Sequence, residues 1–426
     1  MRLSWFVALR FNFCAVQQRY CGNRVAPAAA QFRASQLRTL LLRKISDTIA
    51  RLAALRAQRT TETIEYGAPD HLLPLMGFGS NPGALKSKYY CPNNLPKGAP
   101  LVVVLHGCTQ NANAYNHHSG WSQLADELGF ALIFPEQQRA NNANLCFNWF
   151  VPGDIRRDSG EALSIRQMIE AAVVANGLDR QRIFITGLSA GGAMATAMLV
   201  TYPEVFAGGA IIAGLAYGSA STIPEAFDRM RGHGGPSKAE LQRLLREASP
   251  HNGPWPRISV WQGSVDNTVV PSNADAILAQ WQGVHGVGET PTRTEEVDGQ
   301  TRQVWCDTRG REQVEKYTIA GMGHGTPLHT TGDNGLGRAG PFMLDVGISS
   351  TRHIARFWGL AKPGIRRAAK ADTASRAALE AYRPAEKPRA VHNDPTPEPQ
   401  PLNARGSAAG IGKVIEDALR AAGLMR

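Results

Sequence analysis

The segment Gly187-Leu188-Ser189-Ala190-Gly191 constrains this chain more than any other. It reads G-x-S-x-G. The apolar run Arg182-Ile183-Phe184-Ile185-Thr186 leads into it, and Gly192-Ala193-Met194-Ala195-Thr196-Ala197-Met198 follows as helix-forming sequence. Strand, tight turn and helix in that order make a sharp elbow that exposes a serine hydroxyl above a sheet. The turn needs small neighbours, because a Cβ at position 187 or 191 would crowd the adjacent strand and helix. A glycine-rich turn that merely contains a serine is the plain alternative. The flanking strand and helix argue for Ser189 as a nucleophile.

Two further segments complete a set in the chain order Ser, Asp, His, the order expected of an α/β-hydrolase fold. In Arg257-Ile258-Ser259-Val260-Trp261-Gln262-Gly263-Ser264-Val265-Asp266, a β-like run ends in a glycine turn with Asp266 just beyond it. That puts a carboxylate at the C-terminal edge of a strand, where open α/β sheets bind ligands. Asp275, the local competitor, falls inside a helix predicted from Ala274 to Gln282. In Tyr317-Thr318-Ile319-Ala320-Gly321-Met322-Gly323-His324-Gly325, a second strand-like run ends in glycines around His324. A catalytic histidine must reach the serine from a loop, and flanking glycines let the backbone turn there. His329 is the runner-up. His233, His251 and His285 read as polar-loop residues ahead of the expected position. The run Leu101-Val102-Val103-Val104-Leu105 reads as a buried parallel strand. The His106-Gly107 turn after it is placed to supply one oxyanion N–H, from Cys108, with the second from Ala190. His106 itself reads as a structural loop residue.

Together these pieces resemble the polyhydroxybutyrate (PHB) depolymerase family of esterases, type-one catalytic domain, to which feruloyl and acetylxylan esterases are related. The resemblance rests on Val104-Leu105-His106-Gly107-Cys108-Thr109-Gln110, Cys146-Phe147-Asn148-Trp149-Phe150, Gly187-Leu188-Ser189-Ala190-Gly191-Gly192-Ala193-Met194, Gly263-Ser264-Val265-Asp266 and Gly323-His324-Gly325. It spans roughly residues 85 to 360. It implies ester hydrolysis by Ser189, Asp266 and His324 without a metal or other cofactor, and it leaves the substrate open between polyester and small esters. Trp149 is expected either as an apolar wall for the acyl chain or as a core tryptophan.

Charge divides the chain. The formal net charge is +11. Residues 1–60 hold eleven Lys or Arg and one acid, Asp47, and residues 361–426 hold twelve basic and seven acidic residues. The remainder is therefore mildly acidic, which argues against a nucleic-acid partner. Leu37, Leu41, Ile45, Ile49, Leu52 and Leu55 recur at helical spacing among Arg38, Arg43, Lys44, Arg51 and Arg56. This basic amphipathic pattern suits an anionic or apolar surface, such as a granule or membrane, or packing on the body. The expected organisation is an N-terminal extension at 1–60 and an esterase domain at 61–360 with a cap insertion about 214–256. A linker at 361–407 and a short amphipathic helix at 408–426 follow. Within the domain the pattern predicts strand 101–105, helix about 119–128, strand 130–134, helix about 159–175, strand 182–186, helix 191–201 and strand 209–213. Alternation of this kind means a mostly parallel sheet with helices on both faces.

None of the six cysteines forms C-x-x-C, and no H-E-x-x-H occurs, so a metal site is not expected. If strands 101–105 and 130–134 are neighbours, Cys108 and Cys146 emerge at one sheet edge and can pair. A disulfide and the resemblance both point to an extracellular or periplasmic life. The apolar stretch Trp5-Phe6-Val7-Ala8-Leu9 is broken by Arg10 and is not a clean secretory signal, so a cytoplasmic granule-associated protein is the alternative. The reading is a serine esterase acting on poly(3-hydroxybutyrate) or its oligomers, with a feruloyl, acetyl or other small ester second. A reading of another class is a polyester-granule surface protein with a vestigial hydrolase body.

Overall fold

The computed structural model describes residues 71–361. The expected extension at 1–60, the helix at 408–426 and all but the first residue of the linker at 361–407 lie outside them. The elements run β1 (Leu73–Pro74), β2 (Lys86–Tyr90), β3 (Leu101–Leu105), α1 (Ala112–Ser119), α2 (Trp121–Leu128) and β4 (Ala131–Glu136). Next come α3 (Pro152–Ile155), α4 (Gly160–Asn176), β5 (Ile183–Leu188), α5 (Ala190–Thr201), β6 (Gly208–Ile212), α6 (Ile223–Met230) and α7 (Lys238–Glu247). The order closes with β7 (Arg257–Gly263), α8 (Ser272–His285), β8 (Arg293–Val297), β9 (Gln300–Cys306), β10 (Glu312–Ile319), β11 (Thr326–Leu328), β12 (Met343–Asp345) and α9 (Ser350–Phe357).

The large sheet has the order β1-β2-β4-β3-β5-β6-β7-β10-β9-β8. From β4 to β10 every pairing is parallel, and the outer pairs are antiparallel. The fold is of α/β-hydrolase type. The physical cause is legible in β3: all five residues are buried, with Leu101, Val103 and Leu105 in the core on one face and Val102 and Val104 in the core on the other. A strand covered by helices on both faces has no polar side to alternate with.

The helix predicted about 119–128 forms as α2, and a further helix not read in the sequence, α1, precedes it and ends at Gly120, whose φ is 74°. A Cβ there would lie 2.6 Å from the Gly337 nitrogen, so the break also admits a distant loop. The region 214–256, expected as a cap, holds two helices, α6 and α7. Only α6 joins the small apolar cluster beside the elbow, through Ala226 and Met230. α7 buries Leu241 and Leu245 in the main core and packs on α8, where Gln280 Nε2 donates to Leu241 O at 3.2 Å. Among the described residues no helix is long and apolar enough to cross a membrane.

Candidate active site

Ser189 stands between β5 and α5 at φ 57°, ψ −119°. A residue with a Cβ takes that conformation only at a cost of about 1–3 kcal/mol, so its surroundings must impose it. They do so through backbone. Ser189 N donates to Ile212 O at 2.9 Å, and Ala193 N donates to Ser189 O at 2.9 Å. A Cβ on Gly187 would lie 2.4 Å from the Gly191 carbonyl carbon, and one on Gly191 would lie 2.4 Å from His106 O. The second approach presses the end of β3 against the first turn of α5.

That contact brings two N–H groups to the elbow region. Ala190 opens α5, so its N–H has no acceptor within the helix. In the loop after β3, Gly107 N donates to Gln110 Oε1 at 2.8 Å and Thr109 N to Asn144 O at 2.7 Å. The Cys108 N–H between them donates to no protein group among the described residues.

Asp266 follows β7 and is 1 % exposed. Its Oδ1 accepts from Thr268 N at 2.8 Å and Val269 N at 2.9 Å. Its Oδ2 accepts from His324 Nδ1 at 2.7 Å and Gln262 Nε2 at 3.1 Å. With Nδ1 donating to the carboxylate, the neutral ring presents Nε2 as a proton acceptor. No hydrogen bond joins Ser189 to His324 among the described residues; such bonds often tighten only when substrate binds.

The glycines around this pair have unequal tasks. A Cβ on Gly263 would lie 2.3 Å from Met322 O, and one on Gly325 would lie 2.7 Å from Phe342 O. Gly323 has open space where its Cβ would be. Gly263 and Gly325 therefore admit neighbouring backbone, and Gly323 is not sterically required. The Asp and His loops are also tied together by Val265 N to Met322 O at 3.1 Å and Gly321 N to Ser264 Oγ at 2.9 Å.

The competing residues have other settings. His329 forms a β-bridge with Leu336, and the Asp275 carboxylate pairs with Lys316 at 2.7 Å. His106 is 1 % exposed. Its Nδ1 donates to Gly107 O at 2.8 Å and its Nε2 accepts from Gln137 N at 3.1 Å, while burial holds its pKa below the ordinary value. His285 is not in a polar loop: it ends α8, and burial pushes it down to about 4.

Cys108 and Cys146 are joined by a disulfide, and β3 and β4 are parallel neighbours. Trp149 is 7 % exposed and belongs to neither large core. It lies in a small cluster with Ala190, Ala193, Leu215, Ala226 and Val269, against which Cys108, Cys146 and Phe150 pack. The indole thus links the elbow, the Asp266 loop and α6. Among the described residues, no three His, Cys, Asp or Glu side chains are grouped to hold a metal ion.

Sequence reasoning missed Gln262. The available signal was a glutamine inside an apolar strand, four residues before the aspartate. It also missed Glu161, whose carboxyl is buried near Cys146 and Trp149 and whose signal was weaker still.

The family described as "Esterase PHB depolymerase" matches residues 86–304. Poly(3-hydroxyalkanoate) depolymerase C of Paucimonas lemoignei is 42% identical over 334 residues, covering 78% of this chain and 78% of that protein. An acetylxylan esterase of Coprinopsis cinerea is 31% identical over 265 residues, covering 60% of this chain and 69% of its own length. Among solved structures, an acetyl xylan esterase from Aspergillus awamori aligns with a TM-score of 0.58 at 24% identity. The alignment covers 68% of this chain and 99% of that one, and supports the fold. With the family matched across the strands that carry the elbow and Asp266, and a relative at this identity extending well beyond them, the chain belongs to the esterase PHB depolymerase family of carboxylic ester hydrolases.

Proposed function

We propose that Ser189, Asp266 and His324 hydrolyse carboxylic esters through an acyl-enzyme. His324 Nε2 takes the proton of the Ser189 hydroxyl as its oxygen attacks the ester carbonyl. The N–H groups of Cys108 and Ala190 stabilise the tetrahedral oxyanion. The imidazolium then protonates the leaving alcohol, and the acyl-enzyme forms. In the second half His324 removes a proton from water, which releases the acid and restores Ser189. Asp266 fixes the ring and stabilises its charged form. The observation that carries this reading is the 2.7 Å bond from His324 Nδ1 to buried Asp266, made at the sheet edge where β5 ends in the elbow.

The proposed substrate is poly(3-hydroxybutyrate) or its oligomers. The support is the 42% identity to a protein named as a poly(3-hydroxyalkanoate) depolymerase. A feruloyl or acetyl ester is the second reading, supported by relatives carrying those names. Trp149 is proposed as part of the wall for the acyl chain. The disulfide favours an oxidising compartment, extracellular or periplasmic. The basic pattern at 35–58 and the apolar stripe at 411–422 are proposed to raise affinity for a polyester or anionic surface. Purified protein offered PHB film, 3-hydroxybutyrate dimer and trimer, and methyl ferulate tests the substrate. Fastest turnover of the hydroxybutyrate esters sustains the first reading, and preference for methyl ferulate replaces it with the second. Film binding that is unchanged on removing residues 1–60 refutes a surface role for the N-terminal segment.

A further inference from the structure

A buried polar cluster is hydrogen-bonded to the Cys146 backbone of the disulfide, and the proposed chemistry does not use it. Glu161, in the first turn of α4, is 1 % exposed. Its Oε1 accepts from Gln137 Nε2 at 2.5 Å, and its Oε2 accepts from Asn148 N at 3.0 Å. Gln137, just past β4, is 2 % exposed, and its amide is fully committed. Nε2 also donates to Cys146 O at 3.1 Å, and Oε1 accepts from Gln138 N and Asn141 Nδ2, each at 2.9 Å. The Gln137 backbone N–H is the donor that holds His106, the residue whose carbonyl abuts Gly191. The cluster therefore reaches the loop after β3 at His106, the backbone of Cys146 in the disulfide, and the backbone next to Trp149.

The orientation of the Gln137 amide is fixed by its own partners, so the group at 161 must present two acceptors. A carboxyl does that in either protonation state, because its hydroxyl oxygen keeps a lone pair, and an amide does not, because its nitrogen only donates. Burial pushes Glu161 up to about 8, with the Asp154 carboxylate of α3 adding in the same direction. A buried carboxyl kept at such a cost needs compensating partners, and here they come from two loops outside α4.

We propose, resting on the esterase reading above, that Glu161 is a positioning residue that sets the Cys108 oxyanion loop and the Trp149 loop through Gln137 and Asn148. It touches neither substrate nor the reacting atoms. Replacing it by glutamine keeps the shape but turns an N–H toward either Gln137 Nε2 or Asn148 N, so one bond is lost and the loop shifts.

The test compares wild type, Ser189→Ala, Glu161→Gln, Gln137→Glu and the swapped pair Gln137→Glu/Glu161→Gln in the full chain, with p-nitrophenyl butyrate. Glu161→Gln is expected to lower kcat about 10- to 100-fold, less than the loss for deleting an oxyanion donor, with KM within about twofold. Affinity for a butylboronic acid, which forms a tetrahedral serine adduct, is expected to fall in step with kcat. The swapped pair restores an N–H···O contact of reversed polarity and is expected to exceed both single variants. A folded Glu161→Gln with kcat within twofold of wild type overturns the proposal. So does a loss of kcat that boronate affinity does not follow. If Glu161→Gln does not fold, a folded swapped pair no better than Gln137→Glu overturns it, and a better one sustains it. Ser189→Ala retaining wild-type activity is the separate outcome that refutes the esterase reading itself.

Discussion

The serine side and the histidine side of the sheet edge are held by different forces. Around Ser189 the constraint is backbone on backbone: Gly187 and Gly191 each lack a Cβ that would sit 2.4 Å from main-chain atoms. Around Asp266 backbone also closes on Gly263 and Gly325, but the reacting carboxylate itself is held by hydrogen bonds, from His324, Gln262, Thr268 and Val269. A backbone constraint is close to all-or-none, because a methyl group either fits or displaces a chain. A hydrogen-bonded constraint is graded, because each donor can be removed separately. The two sides should therefore fail differently when mutated.

The largest effects are expected where chemistry is removed and packing is not. Ser189→Ala and His324→Ala should each lose about four to six orders of magnitude in kcat, with thermal midpoints within a few degrees of wild type. His329→Ala should stay within about twofold, and the reverse ranking of the two histidines in a p-nitrophenyl butyrate assay would refute the assignment of the base.

Gly191→Ala should break the serine side as a unit. Overpacking against His106 O is expected to cost about 1–3 kcal/mol or more, so activity and melting temperature should fall together. A variant that keeps its midpoint in calorimetry would contradict the backbone account of the elbow.

Gln262→Leu should weaken the histidine side by degrees. One of four hydrogen bonds to Asp266 is lost, and kcat is expected to drop about tenfold with the midpoint little changed. A kcat within twofold of wild type would mean that Gln262 only fills space.

The smallest effect is a pH dependence of stability. The Glu161 carboxyl is raised to about 8 in the folded chain, so the folded state binds its proton more tightly than the unfolded state does. Its contribution is fully present below the ordinary carboxyl range and is lost as pH rises through about 8. The melting temperature of wild type relative to Glu161→Gln should therefore decline between pH 5 and pH 8. A constant difference across that interval would mean that the carboxyl does not titrate there.

The same contrast explains what was legible in the sequence. The elbow was readable because its requirements are local: a strand, small residues at fixed spacing and a helix. Asp266 and His324 were readable in part, since each follows a strand-like run and a glycine turn. The roles of their glycines were not readable. Gly325 and Gly263 admit backbone from loops distant in sequence, and Gly323, beside the histidine, does not. Gln262 and Glu161 were missed for the same reason. Their partners lie on loops or in the next turn of chain, and a polar residue in an apolar stretch does not say what it binds. His285 was misplaced because its helix runs beyond the predicted end at Gln282, and its last turn is polar in sequence yet packed against Trp281, with ring centroids 6.0 Å apart.

The central claim is that Ser189 is the nucleophile and His324, held by Asp266, activates it. Treatment with a p-nitrophenyl alkylphosphonate, followed by intact-mass measurement and peptide mapping, tests it most directly. The account predicts one phosphonyl adduct per chain, on Ser189, formed at a rate that collapses in His324→Ala. An adduct on another residue, or undiminished labelling of the His324→Ala chain, would contradict it.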